Sequence, residues 1–279
     1  MKLTYHIAPS GWTADSPNPF SQDGSYNGWS CFQIENDLDR EFVHGKAKSG
    51  LFHMRFGPNV DRIEARLADF LRYEPQHGRQ VIMACPDNID VDSLVERVLA
   101  EHPEGSFITH EESRWLVHST DLQAWESIKK CGELRSLARL NREGGNVLAL
   151  GMMELGEPSD YAEYVMLGVP GYIGPENVVA SRKVGRIFTE EDTPYTPGAR
   201  LYFDGHRIIE DGLAAYDGVH PIKVHDHLPL EPYLVLAVTA ATVDPESTVS
   251  EWTPRQFLDA ADAHFFNFAN YTQCHSERM

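Results

Sequence analysis

The chain predicts an α+β protein, with an N-terminal α/β accessory region followed by a C-terminal half built on mixed or antiparallel sheet. Three observations carry that expectation. Amphipathic helices and a short apolar strand alternate up to residue 100. Beyond residue 110 candidate strands outnumber candidate helices. Of 279 residues, 42% are hydrophobic and 10% aromatic, which is ample for an enclosed core and excludes a mainly disordered chain.

Residues 9–30 are rich in Pro, Gly, Ser and Asn, yet they carry Trp12, Phe20, Tyr26 and Trp29. Large rings at that density predict an ordered, loop-rich wrap over a neighbouring surface. Val60, Ile63, Leu67, Phe70 and Leu71 recur at helical spacing, Gln80–Cys85 reads as a short apolar strand, and Val91, Leu94, Val95, Val98 and Leu99 mark a second helix. Together they predict an α/β domain over 1–110, with a boundary at His102–Ser106. Residues 111–279 then form the second domain.

That second domain opens on the strand Trp115–His118. Thr120 and Gln123 have capping-box spacing, Leu122, Trp125 and Ile128 form an apolar stripe, and Gly132 stands where a glycine cap closes a helix. Residues 141–200 are read as short elements joined by long loops, with a strand at Asn177–Ser181. Further strands are expected at Ala199–Phe203, Val219–Val224 and Tyr233–Thr239, the last central because it is apolar throughout. Thr253-Pro-Arg-Gln256 joins a capping box to proline at the first helical position. It starts a closing helix carrying Phe257, Leu258, Ala261, Phe265 and Phe268.

Composition narrows the function classes. Forty-two acidic against 24 basic side chains give a formal charge of −18, which repels phosphate backbones and anionic membranes and argues against unspecific nucleic-acid binding. The four cysteines, Cys31, Cys85, Cys131 and Cys274, form no Cys-x-x-Cys pair and read as reduced thiols. Cys31 follows a tryptophan and a serine, but without a placed histidine partner it reads as a buried structural thiol. The N-terminus lacks a signal-peptide core and no run reaches transmembrane length, so a soluble cytoplasmic protein is expected. Glu190–Asp192 and the cluster Glu35–Glu41 read as solvated faces.

A histidine at the exit of an apolar strand, beside two small hydroxyls, suits recognition of a polar ligand edge. His118, Ser119 and Thr120 are so placed, and Ser127-Ile128 and Gly132-Glu-Leu134 follow on the next helix. This strand-His-Ser-Thr-helix-Gly unit resembles the opening of the ADP-ribosyltransferase superfamily, in the branch with histidine on the first strand that includes the RNA 2′-phosphotransferases. Here Glu133 separates the glycine from the leucine that normally follows it. The resemblance implies NAD as substrate, with His118 and Ser119 on the nicotinamide ribose and carboxamide and Thr120 beside them. It also implies a strand tyrosine flanking the nicotinamide, for which Tyr202 in Leu201-Tyr-Phe203 is the candidate. Arg182 and Arg186, with Lys183 between them, are expected to grip the diphosphate. Glu231 is the candidate for the carboxylate that steadies an oxocarbenium-like transition state, with Glu251 as the other choice. The implied function is an NAD-dependent ADP-ribosyl or 2′-phosphate transferase acting on a protein or nucleotide acceptor.

Two other classes stay open. His225 and His227 alternate along a strand, with Glu231 four positions later, so the three could form a facial divalent-metal site as in a cupin. Alternatively, the acidic surface serves a non-enzymatic binding or inhibitor protein that uses Trp12, Tyr26 and Trp29 as anchors for a basic partner.

Overall fold

The computed structural model describes residues 4–38, 42–57, 59–102, 107–244 and 252–276, with side chains at all of these except 42 and 272–276. Helices and strands are mixed throughout. The chain divides into two units. The first comprises Met1–Ile108, Gly151–Ala162 and Ala215–Pro221, and the second Thr109–Leu150, Glu163–Ala214 and Ile222–Met279. The change of unit after Ile108 falls beside the expected boundary, most of which lies outside the described residues. Two later stretches of chain are added to the first unit.

In the first unit the elements are β1 (Tyr5–Ile7), β2 (Trp29–Ile34), β3 (Phe42–Lys46), β4 (Phe52–Phe56), α1 (Ile63–Gln76), β5 (Gln80–Ala84) and α2 (Val91–Glu101). The sheet order is β1-β5-β2-β4-β3. Its first four strands are parallel and β3 runs antiparallel on β4. Phe32, Met54, Phe56 and Val81–Met83 are fully buried, as a sheet covered on both faces requires. One cover is the face of α1 bearing Leu67, Phe70 and Leu71, all buried. Trp12, Phe20, Tyr26 and Trp29 pack with Cys31, Leu51 and Ile82. The Trp12 indole N–H donates to the Tyr26 hydroxyl at 3.1 Å, which donates to the Ser16 carbonyl at 2.9 Å. Tyr26 and Trp29 are therefore core side chains of their own unit, which corrects the expectation that they anchor a partner.

The added stretches supply polar ties to this core. Asp160 accepts from Tyr73 at 2.5 Å and pairs with Arg79, which also pairs with the buried Glu74. Arg66 donates to the Gly218 carbonyl at 3.1 Å. Gly218 has φ 77°, and a Cβ there would stand 2.3 Å from the Arg66 carbonyl oxygen, so only glycine fits this approach.

The second unit runs β6 (Trp115–Thr120), α3 (Leu122–Cys131), β7 (Glu133–Arg135), α4 (Leu137–Arg142), β8 (Tyr164–Leu167), α5 (Gly174–Val184), β9 (Ala199–Asp204), α6 (Gly205–Glu210), β10 (Ala214–Ala215, at whose second residue the chain passes to the first unit), β11 (Ile222–His225), β12 (His227–Pro229), β13 (Leu234–Thr239), α7 (Ala240–Val243) and α8 (Pro254–Ser276). Three small sheets result, ordered β13-β9-β6, β10-β11-β8 and β12-β7. Helix α8 packs Phe257, Ala261 and Phe265 on Val117, Tyr202 and Val238.

Four sequence expectations need correction. Asn177–Ser181 belongs to a helix, because Pro175 near its start and Gly185 at φ 72° after its end impose helical boundaries on a β-branched run. β13 is not central. Its neighbour β9 lies between β13 and β6, and β13 reads apolar because α7 and α8 pack on it. The cap of α3 is Asp121 rather than Thr120, its carboxylate accepting from the Ala124 amide at 2.8 Å. β11 starts at Ile222, since Asp217 takes the Val219 and His220 amides, each at 2.8 Å.

Candidate functional site

A cleft of about 360 Å³ opens in the second unit at the carboxyl end of β6. Thr120 ends the strand, Asp121, Leu122 and Gln123 start α3, Val179, Arg182 and Lys183 come from α5, and Thr196 and Pro197 close the other side. The first amides of α3 have no carbonyl four residues back inside the helix, so this wall carries the helix N-terminus, where the Asp121 carboxylate already accepts from the Ala124 amide. The closing loop is tied at several points. Lys183 Nζ donates to the Thr196 carbonyl at 3.0 Å, and the Tyr195 hydroxyl donates to Glu176 at 2.7 Å. At Gly198 a Cβ would lie 1.7 Å from the Thr120 carbonyl oxygen, so the loop meets the strand end only through glycine.

Arg182 is the chemically distinctive residue. Its exposed side chain lines the cleft, with no hydrogen bond or ion pair to a described residue. Desolvation lowers its pKa, with the charge of Asp121 acting in the opposite direction. A cation without a described partner, facing a cleft beside a helix N-terminus, can take an anion.

His118 stands on the same strand face as Thr120, one alternation further in. Its Nδ1–H donates to the Met166 carbonyl at 3.0 Å, and desolvation, aided by the Arg182 charge, pushes its pKa down to about 4. That value leaves the ring neutral at pH 7, and it is not part of the cleft lining. Ser119 faces the other way and donates to the buried Glu176.

Glu176 belongs to a network that the sequence pattern did not reveal. Arg200, fully buried on β9, donates to Glu176 at 3.2 Å and to Asp262 of α8 at 2.8 Å. Asp262 also accepts from the Tyr202 hydroxyl at 2.6 Å and the Gly171 amide at 2.5 Å. Arg200 inside an apolar strand, and Asp262 inside the apolar stripe of α8, were the available signals.

Tyr202 must be corrected as a ring-flanking residue. It is fully buried, stacked on Phe265 at 4.0 Å, and its hydroxyl is committed to Asp262. Glu231 is exposed on the turn between β12 and β13, away from the cleft lining, and Glu251 lies outside the described residues. Arg186 follows the end of α5 and donates to the Ile187 carbonyl at 3.2 Å, so of the basic cluster only Arg182 and Lys183 reach the cleft.

The metal arrangement is not assembled. Asp226, at φ 62°, breaks the strand between His225 and His227, so β11 pairs with β8 while β12 pairs with β7. His225 lies edge-on to Tyr164, and His227 is turned toward Asp226 at 3.1 Å. Among the described residues, the group whose ligand atoms gather within 4.8 Å is instead Glu64, Glu101 and His102 in the first unit. Cys31 is fully buried, and burial raises its thiol pKa, in keeping with a structural role.

No family model, no curated protein and no solved structure matches this chain.

Proposed function

We propose that the second unit binds a phosphate-bearing ligand in the cleft at the end of β6. By the resemblance of β6 and α3 to the ADP-ribosyltransferase opening, that ligand is NAD, used in a transfer reaction. The observation that carries this proposal is Arg182, an exposed cation in the cleft lining with no ion pair to a described residue, beside the start of α3. Lys183 adds a second charge, Thr120 offers a hydroxyl, and Leu122 with Pro197 supplies apolar surface for a ring. Tyr202 and Glu231 are given no part in it.

Thermal shift and calorimetry on the full chain test it. NAD and ADP-ribose are expected to raise the melting temperature, nicotinamide alone is not, and Arg182→Ala should weaken NAD binding at least tenfold, about 1.4 kcal/mol. Absence of any shift with NAD, ADP-ribose and pyrophosphate at millimolar concentration removes the proposal. Binding of ADP-ribose without nicotinamide release from NAD keeps the ligand and removes the transfer reaction.

A further inference from the structure

The carboxyl edge of the first unit's sheet has a second opening. β1, β5, β2 and β4 are parallel, so their carboxyl ends share one edge. The chain leaves β2 toward β4, then returns through α1 to β5 on the other side of β2. Crossovers that part in this way leave a crevice outside the strand ends. A cavity of about 450 Å³ lies there, within the range of about 300–1,000 Å³ common for small-molecule sites. Ile34, the last residue of β2, lines it together with Ile63 at the start of α1 and Ile89 and Leu94 around the start of α2.

The rim is acidic. Arg97 is the one basic side chain in the lining, and it is already shared: Nη1 donates to Glu64 at 2.5 Å and lies 3.7 Å from Glu101. Asp90 accepts from the Ser93 amide at 3.2 Å and hydroxyl at 2.8 Å, and no described cation pairs with it. The lining thus sets two carboxylates, Glu64 and Asp90, against that single arginine, an excess of one negative charge. An aliphatic floor under a rim of excess negative charge complements a ligand with an apolar body and a positive head. Arg97 already bridges Glu64 and Glu101, so the match is an organic ammonium rather than a bare metal ion.

We propose that this cavity binds a small organic ammonium compound, its body against Ile34, Ile63, Ile89 and Leu94 and its head at Asp90. The site is independent of the cleft at β6. The test titrates the full chain, by calorimetry and NMR, with phenethylamine and with 3-phenylpropionate, which pair a similar phenylalkyl body with opposite charges. Saturable binding of the amine is expected, with the carboxylate at least tenfold weaker. Asp90→Asn, which removes charge while keeping a good helix cap, should weaken the amine severalfold. Leu94→Trp should abolish binding by filling the cavity, and Ser93→Trp, on an exposed position, serves as the second filling variant if the first loses its circular dichroism signature. No saturable binding of the amine, equal binding of the two compounds, or amine binding unchanged in a folded filling variant would overturn the proposal.

Discussion

Single residues with unusual surroundings set the sharpest expectations. Asp69 is 5% exposed, and its Oδ2 has no hydrogen-bond partner. Desolvation, opposed by Arg72 and reinforced by Asp217, pushes its pKa up to about 7. Because the folded value lies above the unfolded one, the native state holds a proton that the unfolded state releases. Stability from this group is thus present in acid and falls as pH rises from about 4 to about 7. At about 1.4 kcal/mol per unit, the penalty at pH 8 is at most about 4 kcal/mol. Asp69→Asn should therefore raise the melting temperature at pH 8 and leave it nearly unchanged at pH 4, and a gain confined to acid would contradict this. Arg200 gives the converse case. Arg200→Met leaves the buried Glu176 and Asp262 without their shared cation, and urea unfolding should show the second unit weakened by about 3–5 kcal/mol.

Elements carry the site through their junctions. The cleft exists because β6 ends where α3 begins, α5 lies alongside, and the 195–198 loop meets the strand end at Gly198. Gly198→Ala would drive a methyl group into the Thr120 carbonyl. The expected result is NAD affinity reduced at least as far as in Arg182→Ala, together with lower stability, read by the same calorimetry and a thermal melt. The elements themselves were legible where a local rule acts alone. The reciprocal Thr253–Gln256 box that starts α8, with bonds at 3.2 and 3.1 Å, and the left-handed Gly132 that ends α3 follow from nearest-neighbour chemistry. The helix at Asn177–Ser181 was misread because two adjacent valines read as strand, although Pro175 and Gly185 mark its ends, and packing of α5 against β6 and α8 supports it. β2 and β4 also escaped notice; β2 is buried at nearly every position and shows no clean alternation, whereas β4, Phe52-His-Met-Arg-Phe56, alternates and so carried a legible signal.

At the scale of the whole molecule, the path of the chain couples its halves covalently. Asp160 and Gly218 lie outside residues 1–108, yet they meet Arg79, Tyr73 and Arg66 inside the first unit. A fragment ending at residue 108 leaves Arg79 with one of its two carboxylates and opens the face that Tyr161 covers against Phe52. It should show no cooperative thermal transition by circular dichroism, and a sharp melt would contradict this. The charge of −18 was countable at once, whereas the position of the few cations that matter was not. Arg182, Arg186 and Lys183 are alike as letters, and only the end of α5 separates those that reach the cleft from the one that bonds its neighbour's carbonyl.

By itself the sequence determined the class of protein, the capping box that starts α8, the glycine that ends α3, and the neighbourhood of β6 and α3, because these depend on interactions within a few residues of one another. The tertiary structure alone decided that Tyr202 is sealed, that His225 and His227 part company, and that Glu176, Arg200 and Asp262 share one buried network. Such outcomes rest on which distant groups exclude water from one another, and burial of that kind leaves no periodic mark along the chain.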